Sequence, residues 1–281
     1  MSDAATAVCG ACPRHCRLAD GAVGFCRARR AENGAVVAAN YGRISSISLD
    51  PIEKKPIAFF RPGSNVLSVG SYGCNLRCPF CQNDGISQHG ADEVPYRTAS
   101  PGELADLAAR LADEQGNIGL AYTYNEPLVG WEFVRDCAAE IRRRGMLNVL
   151  VSNGCASESV ISQIAPLIDA ANIDLKGQSQ EYYDWVGGDF GAVCRTISAL
   201  HGAGCHVEVT TLVVPGRNDG EADMDAIASF VASVSPDMPL HVTRFFPRWR
   251  MSDASPTPVA DVRRLADVAR RRLSRVLVGN C

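Results

Sequence analysis

The chain has no apolar run long enough to cross a membrane, and its first residues, MSDAATAVCGACPRHC, lack the basic and apolar regions of a secretory leader. Long runs of lysine or arginine are also missing, and the formal net charge is -3. Internal repeats and low-complexity segments are absent too. We therefore expect a cytoplasmic protein that has neither a membrane nor a nucleic acid as a partner.

The charged residues that are present do not change this expectation. The short basic runs Arg142–Arg144 and Arg270–Arg272 are typical of solvated helix faces. With 281 residues, 46% of them hydrophobic, the chain can bury one large core.

Cysteine, by contrast, is abundant, with 12 residues in the chain. In a reducing compartment, clustered thiols indicate metal ligands better than disulfides. Seven cysteines form two groups, namely Cys9, Cys12, Cys16 and Cys26, then Cys74, Cys78 and Cys81. Isolated cysteines are usually small buried hydrophobic residues, so we assign no function to Cys137, Cys155, Cys194, Cys205 and Cys281.

After residue 57 the pattern becomes a regular alternation of strand and helix. Two amphipathic stretches show helix signals: Pro101–Gln115 follows Ser100 as N-cap, and Gly130–Arg144 ends at Gly145. Alternation of this kind predicts an α/β fold with a parallel sheet that is curled or barrel-like. The six predicted strands are Val66–Gly70, Ile118–Tyr124, Val149–Ser152, Ala171–Leu175, Val207–Val214 and Leu240–Phe246.

Polar residues follow successive predicted strands at the point where each strand ends. Ligands of parallel sheets bind at the carboxyl ends of the strands, so these residues are candidates for one shared site. A turn or helix cap remains the alternative for each residue taken alone. The candidates are Cys74, Asn125–Glu126, Ser152–Asn153–Gly154, Asp174 with Lys176, and Asn218–Asp219.

The loop after the first predicted strand has the sequence GCNLRCPFCQN, with cysteines in C-x3-C-x2-C spacing. Three thiolates can hold three irons of a four-iron cubane and leave the fourth iron open to a small molecule. A structural zinc site is the alternative, but it needs a nearby fourth ligand, and His89 stands eight residues beyond Cys81. The spacing therefore favours a [4Fe–4S] cluster on Cys74, Cys78 and Cys81.

At these residues the chain resembles the radical S-adenosylmethionine (SAM) superfamily, whose signature is C-x3-C-x-aromatic-C, with Phe80 at the aromatic position. The resemblance implies that SAM binds the open iron and that Phe80 packs beside its adenine. It implies reductive cleavage of SAM to a 5′-deoxyadenosyl radical. It also implies an electron donor such as flavodoxin or ferredoxin.

The resemblance extends to the other candidate residues. The segment Tyr122–Pro127 resembles the Gly-Gly-Glu-type segment of the superfamily, which implies that Asn125 and Glu126 bind the methionyl ammonium. Ser152 and Asn153 are candidates for the ribose or the methionyl carboxylate. Asp174–Leu–Lys176 resembles a segment of glycyl-radical-enzyme activases whose lysine faces the SAM carboxylate. An ordinary surface ion pair remains the alternative for Lys176.

A closer resemblance covers nearly the whole chain. It is to the radical SAM member of the AMMECR/Memo system, which is related to pyruvate formate-lyase activating enzymes, and it implies a partial (β/α)6 TIM-like barrel. We expect a Cys-rich segment over residues 1–57 and a radical SAM core over 58–281. The segments that carry the resemblance are Cys9-x2-Cys12-Pro-x2-Cys16, Gly24–Cys26, Asp50–Pro56, the Cys74 loop through Asn83, Tyr124–Pro127, Asp174–Lys176, Thr211–Gly216 with Asn218–Asp219, His241–Pro247 and Val278–Asn280.

Longer proteins of this kind continue past the Val278–Asn280 segment into a further cysteine-containing tail, whereas the sequence here ends at Cys281. We therefore assign no function of that tail to this chain. An inert terminal cysteine is the favoured interpretation, because no partner cysteine lies nearby in sequence.

The leading functional expectation is an oxidoreductase that generates a radical on its substrate by removing hydrogen, with a glycine of a partner enzyme as the candidate target. Radical modification of a peptide or small molecule uses the same chemistry and stays open. A non-catalytic iron–sulfur electron carrier is the third alternative, although it does not explain Asn125, Glu126, Asp174 and Lys176.

The N-terminal cysteines form the second candidate metal site. Cys9, Cys12, Cys16 and Cys26 complete the ligand set of one zinc ion or of an auxiliary iron–sulfur cluster, without an open iron for SAM. Zinc is slightly favoured. Four free thiols, or a set that Cys26 is too distant to complete, are the alternatives.

Overall fold

The computed structural model describes residues 6–281. Its strands are β1 (Thr6–Val8), β2 (Arg17–Ala19), β3 (Arg29–Glu32), β4 (Ala35–Ala38), β5 (Arg43–Ile44), β6 (Ser46–Pro51), β7 (Asn65–Gly70), β8 (Arg97–Thr98), β9 (Asn117–Tyr122), β10 (Leu147–Ser152), β11 (Ala170–Asp174), β12 (His206–Val213), β13 (Leu240–Arg244) and β14 (Val276–Gly279). Its helices are α1 (Asp84–Ser87), α2 (Pro101–Gln115), α3 (Trp131–Arg143), α4 (Glu158–Ile164), α5 (Gln180–Val186), α6 (Phe190–Gly202), α7 (Glu221–Val234) and α8 (Val259–Ala269). Short 3-10 turns cover Ile52–Lys54, Pro127–Gly130, Ala165–Leu167 and Trp249–Met251.

An eight-stranded sheet, in the order β14-β13-β12-β11-β10-β9-β7-β6, forms the centre of the molecule. Strands β7 and β9 to β14 pair in parallel, and β6 pairs with β7 antiparallel. The parallel strands follow one another across the sheet in chain order. This order is typical of a barrel, because a doubly wound sheet reverses its strand order at a switch point. The predicted α/β partial-barrel fold is therefore confirmed.

Local sequence signals account for the elements that carry the site. Helix α2 begins after Ser100, whose hydroxyl accepts a hydrogen bond from the Glu103 amide while the Glu103 carboxylate accepts one from the Ser100 amide. This reciprocal capping box and Pro101 fix the start of the helix. Gly116, with φ of 66°, ends it in the left-handed conformation.

The two faces of the sheet bury different residues. Leu67, Leu120, Leu150, Ile173 and Val209 pack under the helices in the main hydrophobic core. Alternate residues along the same strands point to the inner face. Strand β12 shows the alternation, because Val207 and Val209 belong to the core whereas Glu208 and Thr210 do not.

A segment over residues 52–60 fills the inner face near the amino ends of the strands. Ile52 and Ile57 are fully buried there against Val66, Ala121, Val149 and Ala170. Polar contacts also hold the segment: the Asn172 amide donates to the Pro56 carbonyl at 2.7 Å, and Glu208 accepts from the Ala58 and Phe59 amides. We call this segment the floor of the barrel.

Two edge strands of the sheet lie outside the six predicted ones. Strand β14 extends the parallel sheet beyond β13, and β6 comes from the region that we grouped with the Cys-rich segment. The boundary at residue 57 stays a prediction. The structure adds that residues on its N-terminal side contribute a strand to the main sheet.

Among residues 6–281, no helix is both long and apolar enough to span a bilayer.

Candidate active site

A cavity of about 260 Å³ opens at the carboxyl ends of the parallel strands. Cysteines of the predicted cluster line it together with the rim residues that we assigned to SAM. The structure thus brings together ten predicted side chains from four separate parts of the chain: Cys74, Cys78, Phe80, Cys81, Asn125, Glu126, Ser152, Asn153, Asp174 and Lys176.

The three cysteine thiols of the loop after β7 are largely buried. Burial raises the pKa of Cys78 to about 12, in spite of the opposing charge of Lys176, and it also raises the pKa of Cys74 and of Cys81. A thiolate at such a position needs stabilisation by a positive charge, and bound iron supplies it. The donor set therefore fits an iron–sulfur cluster.

The Cys74 sulfur has two nitrogen neighbours that suit a thiolate. The Leu76 amide donates to it at 3.3 Å, and the Asn153 side-chain amide lies 3.6 Å away. Hydrogen bonds of this kind orient a metal ligand and adjust its electron density.

Glu126 ties two rim loops together. Its carboxylate accepts from the Ser152 hydroxyl at 2.7 Å, the Asn153 amide at 2.8 Å and the Leu128 amide at 2.9 Å. Burial raises the pKa of Glu126 to about 7, although these three donors favour the charged form. Because one carboxylate oxygen accepts only the Asn153 bond, it keeps a free acceptor position.

Asn125 holds the backbone that leads into the cluster loop. Its side-chain oxygen accepts from the Ser71 amide at 2.8 Å, and its nitrogen donates to the Tyr72 and Gly73 carbonyls. In the structure, the polar atoms of Asn125 and most of those of Glu126 bind the protein itself. Their contact with the SAM ammonium stays a prediction.

Lys176 pairs with Asp174 at 2.9 Å at the end of β11. Burial lowers the pKa of Lys176, but the negative charges of Asp174 and Cys78 outweigh this effect and hold the pKa well above its usual value. The lysine is therefore a fixed cation close to the cluster thiols. The structure shows the ion pair that we kept as the alternative, with the lysine side chain 14% and the aspartate side chain 37% exposed, and the contact of Lys176 with the SAM carboxylate stays a prediction.

The aromatic residue of the cysteine motif has an aromatic partner. The ring centroid of Phe80 lies 5.5 Å from that of Trp185 in α5. Trp185 in turn contacts the Tyr182 ring edge-on and the Arg217 guanidinium. These contacts fix Phe80 at the cavity wall, and its contact with adenine stays a prediction.

Several lining residues were missed from the sequence. The Thr210 hydroxyl and the Gln88 side-chain oxygen are buried at the cavity and have no hydrogen-bond partner among the described residues. Buried polar atoms are usually satisfied, so these two atoms indicate room for a polar ligand. Thr210 points to the same side of β12 as Glu208, but a lone threonine in an apolar strand does not identify itself in the sequence.

Tyr124 was also missed as a site residue. It lines the cavity with φ of 72°, a conformation that is uncommon for tyrosine. Its hydroxyl donates to Asp50 at 2.8 Å, and Lys55 donates to the same carboxylate oxygen at 2.8 Å. The rim and the floor are thus connected through Asp50.

Asn218 and Asp219 lie outside the cavity lining. The Asn218 side chain is buried and accepts from the Val214 amide while it donates to the Lys176 and Leu212 carbonyls. Asp219 accepts from the Gly216 amide. Both residues shape the turn after β12, as the alternative interpretation of a turn or cap had it.

Two of the N-terminal cysteines lie beside the cluster loop: the Cys26 carbonyl accepts from the Cys74 amide, and Cys12 lines a small cavity with Asn75. Cys9 and Cys26 are buried, and Cys12 and Cys16 are partly exposed. From residue 6 onward, no three His, Cys, Asp or Glu side chains converge on one point as a single metal ion requires. Cys137, Cys155 and Cys205 are buried, Cys194 is partly buried and Cys281 is exposed.

The parallel strands, the thiol-bearing loop and the polar rim define a barrel protein with a cavity at the carboxyl ends of its strands, which is where such folds bind their ligands. The chain belongs to the radical SAM superfamily, whose family model matches residues 68–230. A relative from Methanocaldococcus jannaschii, described as an uncharacterized protein, is 38% identical over 274 residues, which cover 97% of this chain and 80% of that protein.

Two further similarities concern characterised proteins. The benzylsuccinate synthase activating enzyme of Thauera aromatica is 28% identical over 116 residues, which cover 40% of this chain and only 35% of that enzyme. A radical SAM methyltransferase from Sphaerobacter thermophilus has a TM-score of 0.59 at 18% identity, over 78% of this chain and 67% of that one. The latter similarity shows a shared fold.

Proposed function

We propose that this chain is a radical SAM oxidoreductase that cleaves SAM reductively at a [4Fe–4S] cluster and removes hydrogen from a substrate. The observation that carries the proposal is the single cavity lined by the three cluster thiols and by seven further side chains assigned to SAM. When bound, the cluster supplies the electron that breaks the sulfonium bond of SAM, which releases methionine and the 5′-deoxyadenosyl radical.

The residues of this chain position the reactants and exclude water. Cys74, Cys78 and Cys81 would hold three irons, and Phe80 would pack beside the adenine. The free acceptor of Glu126 would receive the methionyl ammonium, with Asn125 supporting the loop beneath it.

Two further groups complete the assignment. Ser152 and Asn153 border the space for the ribose or the methionyl carboxylate, and Lys176, held by Asp174, would attract that carboxylate. A non-catalytic electron carrier needs no such arrangement of carboxylate, amide and ammonium groups around its cluster.

We propose a glycine of a partner enzyme as the hydrogen donor. The similarity to an activating enzyme supports this substrate class. The motifs quoted above support placement in the AMMECR/Memo-system group, with a cytoplasmic location and flavodoxin or ferredoxin as the electron donor. Radical modification of a peptide or small molecule is the second candidate function.

SAM cleavage tests the first part of the proposal. Anaerobically reconstituted protein with SAM and a strong reductant should release 5′-deoxyadenosine. A variant with Cys74, Cys78 and Cys81 all replaced by alanine should release none, whereas Cys194→Ala, outside the cavity lining, should keep the activity. Undiminished cleavage in the triple variant would overturn the assignment.

Electron paramagnetic resonance separates the two substrate classes. With a glycyl-radical enzyme from the same genome, cleavage should produce a carbon-centred radical with the doublet signal of glycine in that partner. If no such partner shows the glycine doublet while a peptide or metabolite gains a new bond, the modifying-enzyme function replaces the activase.

A further inference from the structure

The four N-terminal thiols lie on two adjoining turns. Cys9 and Cys16 close the loop between β1 and β2, with the Cys9 amide donating to the Cys16 carbonyl at 2.9 Å, and Cys12 lies within that loop. Cys26 lies on the turn before β3. The pKa of Cys26 is raised to about 11, mainly by burial and in smaller part by the nearby thiols of Cys12 and Cys9. The two turns adjoin, because the Arg14 guanidinium of the first loop covers the Phe25 ring next to Cys26. No three of these side chains converge on one point in the described part of the chain, so metal binding would draw the four thiols closer together.

The turn that carries Cys26 is bonded directly to the predicted cluster loop. The Cys74 amide donates to the Cys26 carbonyl at 3.2 Å. Gly73 has φ of 85°, and a Cβ at this position would overlap the Cys26 carbonyl oxygen. Only glycine permits this close approach.

Arg77 joins the same two loops from another side. Its guanidinium donates to the Cys74 carbonyl at 2.9 Å and to the Phe25 carbonyl. It also stacks on the Phe25 ring, which Arg14 covers at 3.6 Å from the ring centroid. This cation lies close enough to interact with the charges of both Cys26 and Cys74.

Asn75 connects the N-terminal cysteines to the cavity. Its side-chain oxygen accepts from Asn153 at 2.9 Å, and its nitrogen donates to the Cys155 carbonyl at 2.6 Å. The same side chain lies beside Cys12, with which it lines a small cavity. Because Asn153 also touches the Cys74 sulfur, one chain of contacts runs from Cys12 to the cluster loop.

We propose that Cys9, Cys12, Cys16 and Cys26 bind one thiolate-ligated metal centre, and that this centre holds the Cys74 loop and Asn153 in position for SAM. Four thiolates are a complete ligand set for zinc or for an iron–sulfur cluster. The short hairpins of this region contribute little to the main core, so a metal provides folding energy that their packing does not. The positioning role rests on the proposed function, whereas the metal site does not.

Metal analysis tests the site itself. The triple variant with Cys74, Cys78 and Cys81 replaced by alanine is reconstituted with Zn²⁺ alone or with ferrous iron and sulfide. We expect about one zinc ion or one iron–sulfur cluster per chain. Adding Cys12→Ser should abolish this binding, and adding Cys194→Ser should not.

The two reconstitutions distinguish the metals. Retained zinc identifies a zinc site, and retained iron with sulfide identifies an auxiliary cluster; either result supports the proposal. A folded triple variant that binds neither metal overturns it. If the triple variant is insoluble, the total metal of the unaltered chain is compared with that of Cys12→Ser, and equal metal content overturns the proposal.

SAM affinity tests the positioning role. Serine at position 12 keeps a hydrogen-bonding group for Asn75, so the Cys12→Ser variant removes mainly the metal. We expect this variant to retain about four irons at the Cys74 loop. The electron paramagnetic resonance spectrum of its reduced cluster should change, and its affinity for SAM should fall about five-fold or more. Cys194→Ser should match the unaltered chain.

The outcomes separate this inference from the proposed function. Loss of the second metal with unchanged spectrum and unchanged SAM affinity would refute the positioning role. If SAM is never cleaved and yet the triple variant binds its metal, the second site stands while the proposed function fails.

Discussion

At the scale of single residues, Glu126 has two roles: it bonds two rim loops together, and it is the predicted acceptor for SAM. The motif around it identified a candidate acceptor, and the strand pattern placed it at the correct end of the sheet. Its bonds to Ser152 and Asn153 could not be predicted, because they join side chains from loops 26 and 27 residues apart. Thr210 was missed because a lone threonine in an apolar strand carries no distinctive signal.

We predict that SAM binding strengthens as the pH rises through about 7. Below the pKa of Glu126, which burial raises to about 7, the carboxyl is neutral and gains nothing from a cation. Above it, the carboxylate attracts the methionyl ammonium. Titration calorimetry under anaerobic conditions at pH 6 and pH 8 measures the difference.

The variant that tests this prediction is Glu126→Gln, and Glu181→Gln, at an exposed position, is its control. Loss of a charged hydrogen bond costs about 1.5–3 kcal/mol, so Glu126→Gln should weaken SAM binding about ten-fold or more and remove the pH dependence. Glu181→Gln should change neither. Loss of iron from Glu126→Gln would instead assign Glu126 a structural role.

At the scale of elements, the sequence pattern identified the six central parallel strands because their apolar runs are continuous. It did not identify β14, which has only four residues, or β6, where polar and apolar residues alternate at a sheet edge. The floor could not be predicted either. Its position depends on Asn172 and Glu208, which lie more than 100 residues further along the chain.

Glu208 is the polar anchor of the floor. It is fully buried, and it accepts from the Ala58 and Phe59 amides and contacts His206 and His241 at 2.9 and 2.6 Å. Burial raises its pKa, but these partners outweigh the effect and hold the pKa at about 2. We predict that Glu208→Ala lowers the free energy of unfolding by about 3–5 kcal/mol, because it leaves buried partners unpaired.

Denaturant unfolding measures this loss, with the exposed Glu114→Ala as a control that should stay within about 0.5 kcal/mol of the unaltered chain. Because the folded-state pKa is depressed, the stabilisation by Glu208 is present above the ordinary pKa of 4.5 and is lost as the pH falls towards 2. The difference in free energy of unfolding between Glu208→Ala and the unaltered chain should shrink as the pH falls from 4.5 towards 2. A constant difference would argue against the charged contacts.

At the scale of the whole molecule, the N-terminal region contributes two distinct parts. The loop between β1 and β2 contacts Ser157, and the turn before β3 contacts Cys74, whereas β6 and the floor belong to the barrel. We predict that a chain of residues 42–281 unfolds cooperatively, while one of residues 58–281 does not. The shorter chain lacks β6, Ile52 and Ile57, so it exposes the apolar inner face.

Circular dichroism during thermal unfolding compares the two truncated chains. A sharp transition in the 58–281 chain would support the domain boundary drawn at residue 57. Loss of the transition in both chains would mean that the barrel cannot fold without the cysteine hairpins.

On the proposed function, the position of the floor also predicts the order in which the reactants bind. Because the segment over residues 52–60 fills the amino end of the inner face, the cavity is a blind-ended well with its mouth at the rim. A molecule bound deep in such a well must arrive before anything that caps it. On the proposed function, we therefore predict that SAM enters first and the hydrogen donor second, and that the spent nucleoside and methionine leave only after the capping partner withdraws. Bulky substrates in excess should slow the cycle, since they seal in the products of the previous turnover.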